Sequence, residues 1–387
     1  MSVQPREALL FPEEEFLQRC RAFQAMMLSE NIDLLILDQP ETMFYLVGYA
    51  MSEGFYQCCL LPADGQPVMV LRSVDKGTCE EYSWLSRIID FRDWDDPVEA
   101  ALDQIKSLDL NPRRVGIDKN SYSLTVQRYL AWQKALPEAE FHDVAGFISE
   151  QRAIKSPGEI NYLRKASNIA DNALKAILER IKPGHSARDC AAISASSIIS
   201  LGGDAGVVGP ITKSIDDTKM HALIDDSPLR SGDTLHVELI PQFFGYSARL
   251  MRPVCIGKPT SEMLDLASQI TQIQDAQFAA MKPGIPANEI DAIVRESMVS
   301  NGLRERYVNV SGYSLGYYQL FTSRSSDFSY VFRPTDTWLL KSGMVFHMCT
   351  VAKGLAFSET LLVTDTGTER LTLSDRTILA TYSGLTA

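Results

Sequence analysis

Glu238 sits inside an apolar run, between Val237 and Leu239-Ile240. Burial there would penalise its charge unless the carboxyl is paired, protonated or put to use. Upstream lies His221, one of only five histidines with His142, His185, His236 and His347. An imidazole with a pKa near ~6.5 can take a proton and return it at neutral pH. Arg249 and Arg252 follow Glu238 on the next strand-like stretch, and a guanidinium fork suits a planar carboxylate. Further on, Ser311–Gly316 carries glycines at an interval of four around Tyr313, a spacing that is neither a dinucleotide nor a phosphate-loop fingerprint. His347 lies in the apolar run Val345–Cys349, and Glu359 directly precedes the run Thr360–Thr364. Taken singly, each has an ordinary explanation. Glu238 could face solvent on an alternating strand, His221 could be a satisfied loop residue, His347 a hydrogen-bonded core histidine and Glu359 a strand-end charge. So few histidines also argue against a His-rich zinc site.

The elements that must position these residues fall into two groups. Pro12–Glu30 has apolar residues at helical spacing, and Asp33–Leu37 reads as a buried strand. Gln57–Leu61 and Val68–Leu71 flank the turn signal Ala63–Gln66 and read as a hairpin; Val115–Asp118 is a further strand. This alternation describes an α/β domain over residues 1–150. A polar junction, Gln151–Glu159, then brings Ser156-Pro157, a helix N-cap with proline at the first helical position. Helices over Ile160–Arg180 and Ser261–Met281 each run into Lys-Pro-Gly, and each is followed by strand-like segments, Thr234–Ile240 and Gly245–Cys255 in the first case and Val345–Cys349 and Thr360–Thr364 in the second. The order predicts an α+β domain over residues 151–387 with an internal structural duplication but no clear sequence repeat.

Composition limits the function. With 37 basic and 49 acidic residues the net charge is −12, which opposes a nucleic-acid or anionic-membrane binder. No apolar run approaches the ~18 residues of a membrane span. Seven scattered cysteines without a CxxC, and no secretory leader at the start, lead us to expect a reduced, cytoplasmic setting.

These landmarks occur in a familiar order. The chain resembles the creatinase / Xaa-Pro aminopeptidase superfamily (M24), whose fold is a small N-terminal α/β domain followed by a "pita-bread" domain of duplicated helices on a curved antiparallel sheet. Pro40–Tyr49 is similar to the family's Asn-x-x-Tyr-Leu-Thr-Gly segment, and Arg152–Ile160 to its Arg-x-x-Lys-Ser-x-x-Glu-Ile junction; Gly245–Arg252 and Leu340–Val345 fit its strand and turn landmarks. The peptidase branch uses two metal ions held by two Asp, one His in a glycine turn, a Glu before Pro and a last Glu. Read onto this chain, the first Asp position is Glu238 and the second is Arg249. The His position is Tyr313, the Glu-Pro position is Cys349-Thr350, and the last Glu position is Ser358, with Glu359 following. The resemblance therefore implies that the metal site is absent and that no cofactor is used.

The departures resemble the metal-free side of the superfamily. Creatinase works with a histidine ahead of the first strand, and His221 stands at that place. Ectoine hydrolases are similar in the pattern His221-x4-Asp226-x-Pro228, in Glu238, in Gly312–Gly316, in Phe346-His347, in Gly354–Thr360 and in Gly54-Phe55-Tyr56. Where they carry Tyr-His-x-Pro-Leu this chain has Tyr246–Leu250 with Arg249, which sets ectoine itself in doubt. The resemblance implies a hydrolase of a non-peptide C–N bond in a small zwitterion, a cyclic amidine or guanidino compound. His221, Glu238 and Glu359 would be catalytic, and Phe55, Tyr56, Arg249, Tyr313 and His347 would bind substrate, with no metal. His142, His185 and His236 are expected to be structural. Should Arg249 pair internally with Glu238, both would be structural and the enzyme reading weaker. The resemblance also implies a homodimer in which the N-terminal domain of one subunit closes the other's site through Phe55 and Tyr56, with no nucleic-acid or membrane partner. The alternatives are an atypical Xaa-Pro peptidase and a non-catalytic binding protein.

Overall fold

The computed structural model describes residues 9–50, 55–213, 216–319 and 329–381, which divide into two compact units, Met1–Arg152 and Ala153–Ala387. In the first unit, helix α1 (Glu13–Glu30) leads into strand β1 (Leu34–Leu37), whose four residues are all buried because helices cover both faces of the sheet. Helices α2 (Pro40–Val47), α3 (Lys76–Tyr82), α4 (Pro97–Ser107), α5 (Val126–Ala135) and α6 (Ala145–Ala153) alternate with β2 (Cys58–Pro62), β3 (Val68–Arg72), β4 (Ile88–Phe91), β5 (Arg114–Ile117) and β6 (Glu140–Asp143). The sheet order is β4-β3-β2-β1-β5-β6. The β2–β3 hairpin pairs Cys58 with Val70, and Gly65 in its turn takes φ +117°, a conformation L side chains avoid.

The second unit starts where sequence chemistry dictates. Ser156 and Glu159 close a reciprocal capping box at the head of α7 (Pro157–Arg180), with Pro157 in its first turn. Helix α8 (Ala187–Ser200) packs beside α7, and α9 (Ser261–Ala280) beside α10 (Ala287–Ser300). These four helices cover one face of a sheet ordered β13-β12-β14-β15-β11-β8-β7. Its strands are β7 (Ile211–Lys213), β8 (Thr234–Leu239), β11 (Leu250–Cys255), β12 (Gly312–Ser314), β13 (Val331–Phe332), β14 (Val345–Ala352) and β15 (Leu355–Val363). The short β9 (Gln242–Phe243) and β10 (Tyr246–Ser247) form a separate ribbon, so the stretch expected as one strand from Gly245 to Cys255 is broken at Ala248-Arg249. Strands β16 (Thr368–Arg370) and β17 (Leu379–Ala380) pair with β15 and β11.

The duplication is visible in the hydrogen bonds. After α7, Gly184 (φ +91°) donates to the Leu229 carbonyl and Leu229 donates to that of His185. After α9, Gly284 (φ +88°) donates to Leu340 and Leu340 to Ile285. Leu229-Arg-Ser-Gly232 and Leu340-Lys-Ser-Gly343 then turn identically, with φ +91° and +87° at their glycines, into β8 and β14. A four-residue sequence echo, invisible before the structure gave it a role, thus marks the start of each half. Glu238 pairs with Met251 in the first half as Cys349 pairs with Ser358 in the second, and Met251 itself pairs with Ser358 where the halves meet.

Candidate active site in the second unit

Side chains alternate across a strand, so β8 splits cleanly. Leu235, Val237 and Leu239 enter the core under α7 and α8, while His236 and Glu238 face the other way, into a cavity of about 920 Å³. Register continues that face across the sheet in rows. One row runs through Glu238, Met251, Ser358 and Cys349, and the row beside it through His236, Pro253, Ala356 and Val351. On the other side Tyr313 pairs with His347 and His347 with Thr360, whose hydroxyl is hydrogen-bonded to both the amide and the carbonyl of Arg249. Arg249, Tyr313, His347, Glu238, His236 and His221 all line the cavity.

Glu238 and Arg249 are each 5% exposed, and their charged atoms stand 3.8 Å apart. The internal pair that the sequence left open is therefore present, but at a separation too long for a hydrogen bond. Burial raises the pKa of Glu238, and Arg249 and His221 only partly oppose that rise. Gly209 packs on this carboxylate so closely that a Cβ there would meet Glu238 Cγ at 2.8 Å and its carbonyl oxygen at 2.9 Å. His347 is fully buried, its ring edge-on to Tyr313 at 4.9 Å between centroids. Burial, and then Arg249, hold its pKa well below the usual imidazole value. Burial keeps the Tyr313 phenol protonated and pushes the Cys349 thiol up to about 12, so neither is an anion at neutral pH. His221 is exposed, on the loop that follows β7. Farther along that loop Asp226 pairs with Arg188; nearer β7, Asp217 pairs with Arg304 at 3.2 Å and accepts from the Gly354 amide at 2.7 Å.

One residue expected to be catalytic points away from this cavity. Glu359 has the opposite parity from Ser358 and so points to the helix side of the sheet, where it is fully buried. There it accepts from Arg252 Nη2 at 2.6 Å and from the Thr372 hydroxyl, with Arg376 and Arg370 at 3.6 and 3.9 Å. It holds the core together and does not line the cavity. Tyr56 is 5% exposed inside the first unit, accepting from Trp132 Nε1 at 3.0 Å and hydrogen-bonded to Asp38, so its ring and hydroxyl are already engaged within its own domain. Phe55 is exposed beneath the Arg72 guanidinium, at 4.3 Å; Gly54 of the same motif lies outside the described residues. Conversely, His236, Gly209, Asp217 and Arg304 belong to the cavity and were not foreseen. For His236 the signal was available: it shares the strand parity of Glu238.

The sequence pattern of metallopeptidase family M24 matches residues 161–365, more than half of the chain. The chain belongs to that family. Its first unit matches the creatinase/prolidase N-terminal domain over residues 19–154. Among curated relatives, the M24 chain is 28% identical to an ectoine hydrolase of Halomonas elongata, over 94% of this chain and 96% of that one. It is 24% identical to an Xaa-Pro dipeptidase of Pyrococcus furiosus, over 94% and 99%. Among solved structures, a prolidase from Pyrococcus horikoshii superposes with a TM-score of 0.78 at 22% identity, covering 93% of this chain and 99% of that one. The fold is thus the two-domain M24 arrangement with a pita-bread second domain. An M24 metallopeptidase site needs several carboxylate and imidazole donors converging on one point. Among the described residues no three His, Cys, Asp or Glu side chains converge in this way. At the cavity a guanidinium faces Glu238 where a second carboxylate would be needed, and Tyr313 and Cys349 keep their protons. The described residues that line the cavity do not fit a pair of divalent metals. No helix among the described residues is long and apolar enough to cross a membrane, and all seven cysteines are buried.

Proposed function

We propose that the protein is a metal-independent hydrolase of a non-peptide C–N bond in a small zwitterionic substrate, a cyclic amidine or guanidino compound. The observation that carries this reading is the buried, loosely coupled Glu238–Arg249 pair on one cavity wall. A zwitterion can replace both halves of such a pair, its carboxylate on Arg249 and its delocalised cation on Glu238. The 28% identity to an ectoine hydrolase supports the reaction class. His221 takes a proton from water as the oxygen attacks the amidine carbon. It then delivers that proton to the departing nitrogen as the C–N bond breaks. Glu238 holds the cation or attacks in place of water, in which case water releases the acyl-type intermediate. Tyr313 and His347 line the carboxylate end. In this reading Glu359 is structural, because it is fully buried against Arg252. Dimerisation belongs to the same proposal, with exposed Phe55 as the candidate contribution to a neighbouring site, and sedimentation velocity tests it.

The deciding experiment is turnover of ectoine, creatine, related cyclic amidines and Xaa-Pro dipeptides, each with and without Mn²⁺. Hydrolysis of an amidine or guanidino compound without added metal, lost in His221→Ala and Glu238→Gln, is the expected result. Metal-dependent cleavage of Xaa-Pro dipeptides alone would replace it with the peptidase reading, which the 24% identity to an Xaa-Pro dipeptidase favours.

A further inference from the structure

The two halves carry the same side chain at one position. His236 in β8 and His347 in β14 each stand four residues beyond the glycine of the repeated Leu-(Arg/Lys)-Ser-Gly turn. Both imidazoles are buried, at 1% and 0% exposure, and both line the cavity. None of their four ring nitrogens has a hydrogen-bond partner among the described residues. A histidine kept for structure spends at least one nitrogen on a neighbour, because an unmet buried polar atom is destabilising. Two such rings face one cavity with their nitrogens left for its contents.

His347 shares its row with Arg249 and Tyr313, the carboxylate end. His236 lies beyond Glu238 at the other end, in the row of Ala356 and Val351, and Met220 and Met251 join those two in an apolar wall. The cavity is also larger than a compact zwitterion needs. About ten heavy atoms, each given no more than the ~30 Å³ share of a liquid water, fill at most about a third of 920 Å³.

We propose that His236 is a substrate-binding residue. Its neutral imidazole hydrogen-bonds a second arm of the substrate, beyond the scissile C–N bond, and the wall of Met220, Met251, Val351 and Ala356 takes that arm's hydrocarbon. The inference rests on the hydrolase reading and narrows its substrate class to amino-acid-like zwitterions that carry, besides the carboxylate, a hydrocarbon arm with a polar end on the carbon that is attacked.

The test compares ectoine with its homologue bearing a 2-(3-hydroxypropyl) in place of the 2-methyl group, in wild type, His236→Leu and His236→Gln. Wild type is expected to prefer the hydroxypropyl compound, kcat/KM rising by at least about fourfold as the arm's methylenes are buried and its hydroxyl meets His236. His236→Leu should raise KM about tenfold for the hydroxypropyl compound while ectoine's KM and both kcat values stay within about twofold, and His236→Gln, which keeps a donor and an acceptor, should recover part of that loss. The melting temperature of His236→Leu should be unchanged or about 2–4 °C higher, because two unmet buried nitrogens are gone. Equal kcat/KM for the two amidines, or a lower melting temperature with KM unmoved, would overturn the role of His236 while leaving the hydrolase reading intact. If neither amidine is turned over although the protein is folded, the hydrolase reading fails and this inference falls with it.

Discussion

Glu359→Gln removes a charge from the helix side of the sheet and leaves its shape. In the native protein that carboxylate sits 2.6 Å from Arg252, accepts from the Thr372 hydroxyl and lies 3.6 and 3.9 Å from Arg376 and Arg370. Arg252 is itself fully buried and donates to four carbonyls, those of Met251, Ser358, Ser374 and Asp375, at 2.8–2.9 Å. Those bonds survive the substitution, so the loss isolates the counter-charge. Removing one partner of a buried pair costs about 3–5 kcal/mol, because the other charge stays behind uncompensated. For a unit of this size that is a drop in melting temperature of roughly 6–20 °C. Arg252→Met should cost at least as much, since its four carbonyl acceptors lose their donor as well. The double variant Arg252→Met/Glu359→Gln should be more stable than the two single losses add up to, by at least about 1 kcal/mol. Urea denaturation followed by tryptophan fluorescence gives the cycle, and kinetics on any substrate that proves active gives the other half. The reasoning is refuted if Glu359→Gln unfolds at the wild-type midpoint yet abolishes turnover, since the carboxylate would then belong to the chemistry.

Acid should uncover His236. Burial, and then His221, hold its pKa down at about 4 against 6.5 when unfolded. Between those values the unfolded chain binds the extra proton, so stability is lost as pH falls below 6.5. From pH 7.5 to pH 5 the contribution is about 2 kcal/mol, absent in His236→Leu; equal acid losses in the two proteins would mean the ring is not held neutral. Glu238 has the opposite sign. Burial raises its folded pKa, so its penalty on stability appears as pH rises through that value, and Glu238→Gln should gain on wild type at pH 8 but not at pH 4. Gly209→Ala forces a methyl to within 2.8 Å of Glu238 Cγ and 2.9 Å of a backbone oxygen that cannot swing away. It should cost about 1–3 kcal/mol and lower kcat/KM by at least tenfold, and a variant of wild-type stability and rate would show that the loop yields freely.

The sequence was most informative where one local rule settles the outcome. Ser156, Pro157 and Glu159 announce a helix start, Gly65 a hairpin, and the unbroken apolar run at Leu34–Leu37 a strand covered on both faces. The site was harder because its geometry depends on parity and register together. Glu359 adjoins Ser358 in the chain but lies on the far side of the sheet, and His236 is separated from Glu238 by one residue yet shares its cavity. The approach of Arg249 to Glu238 is set by β8–β11 pairing across a ribbon whose turns no periodicity describes. Tyr56 shows the same limit in the first unit: its type suits a contact surface, but only the packing of Trp132 and Asp38 places it inside.

The Arg252–Glu359 pair also bears on the history and assembly of the chain. Because Met251 meets Ser358 at the seam, Arg252 and Glu359 are corresponding positions of the two repeats, filled with opposite charges. A recombination event that copied one repeat over the other would set two like charges in a dry core, a lethal arrangement for folding. The same opposition discourages β11 from joining a second β11, or β15 a second β15, on another chain. One ion pair thus makes two structurally similar halves distinct, and directs each to its complement within the same molecule.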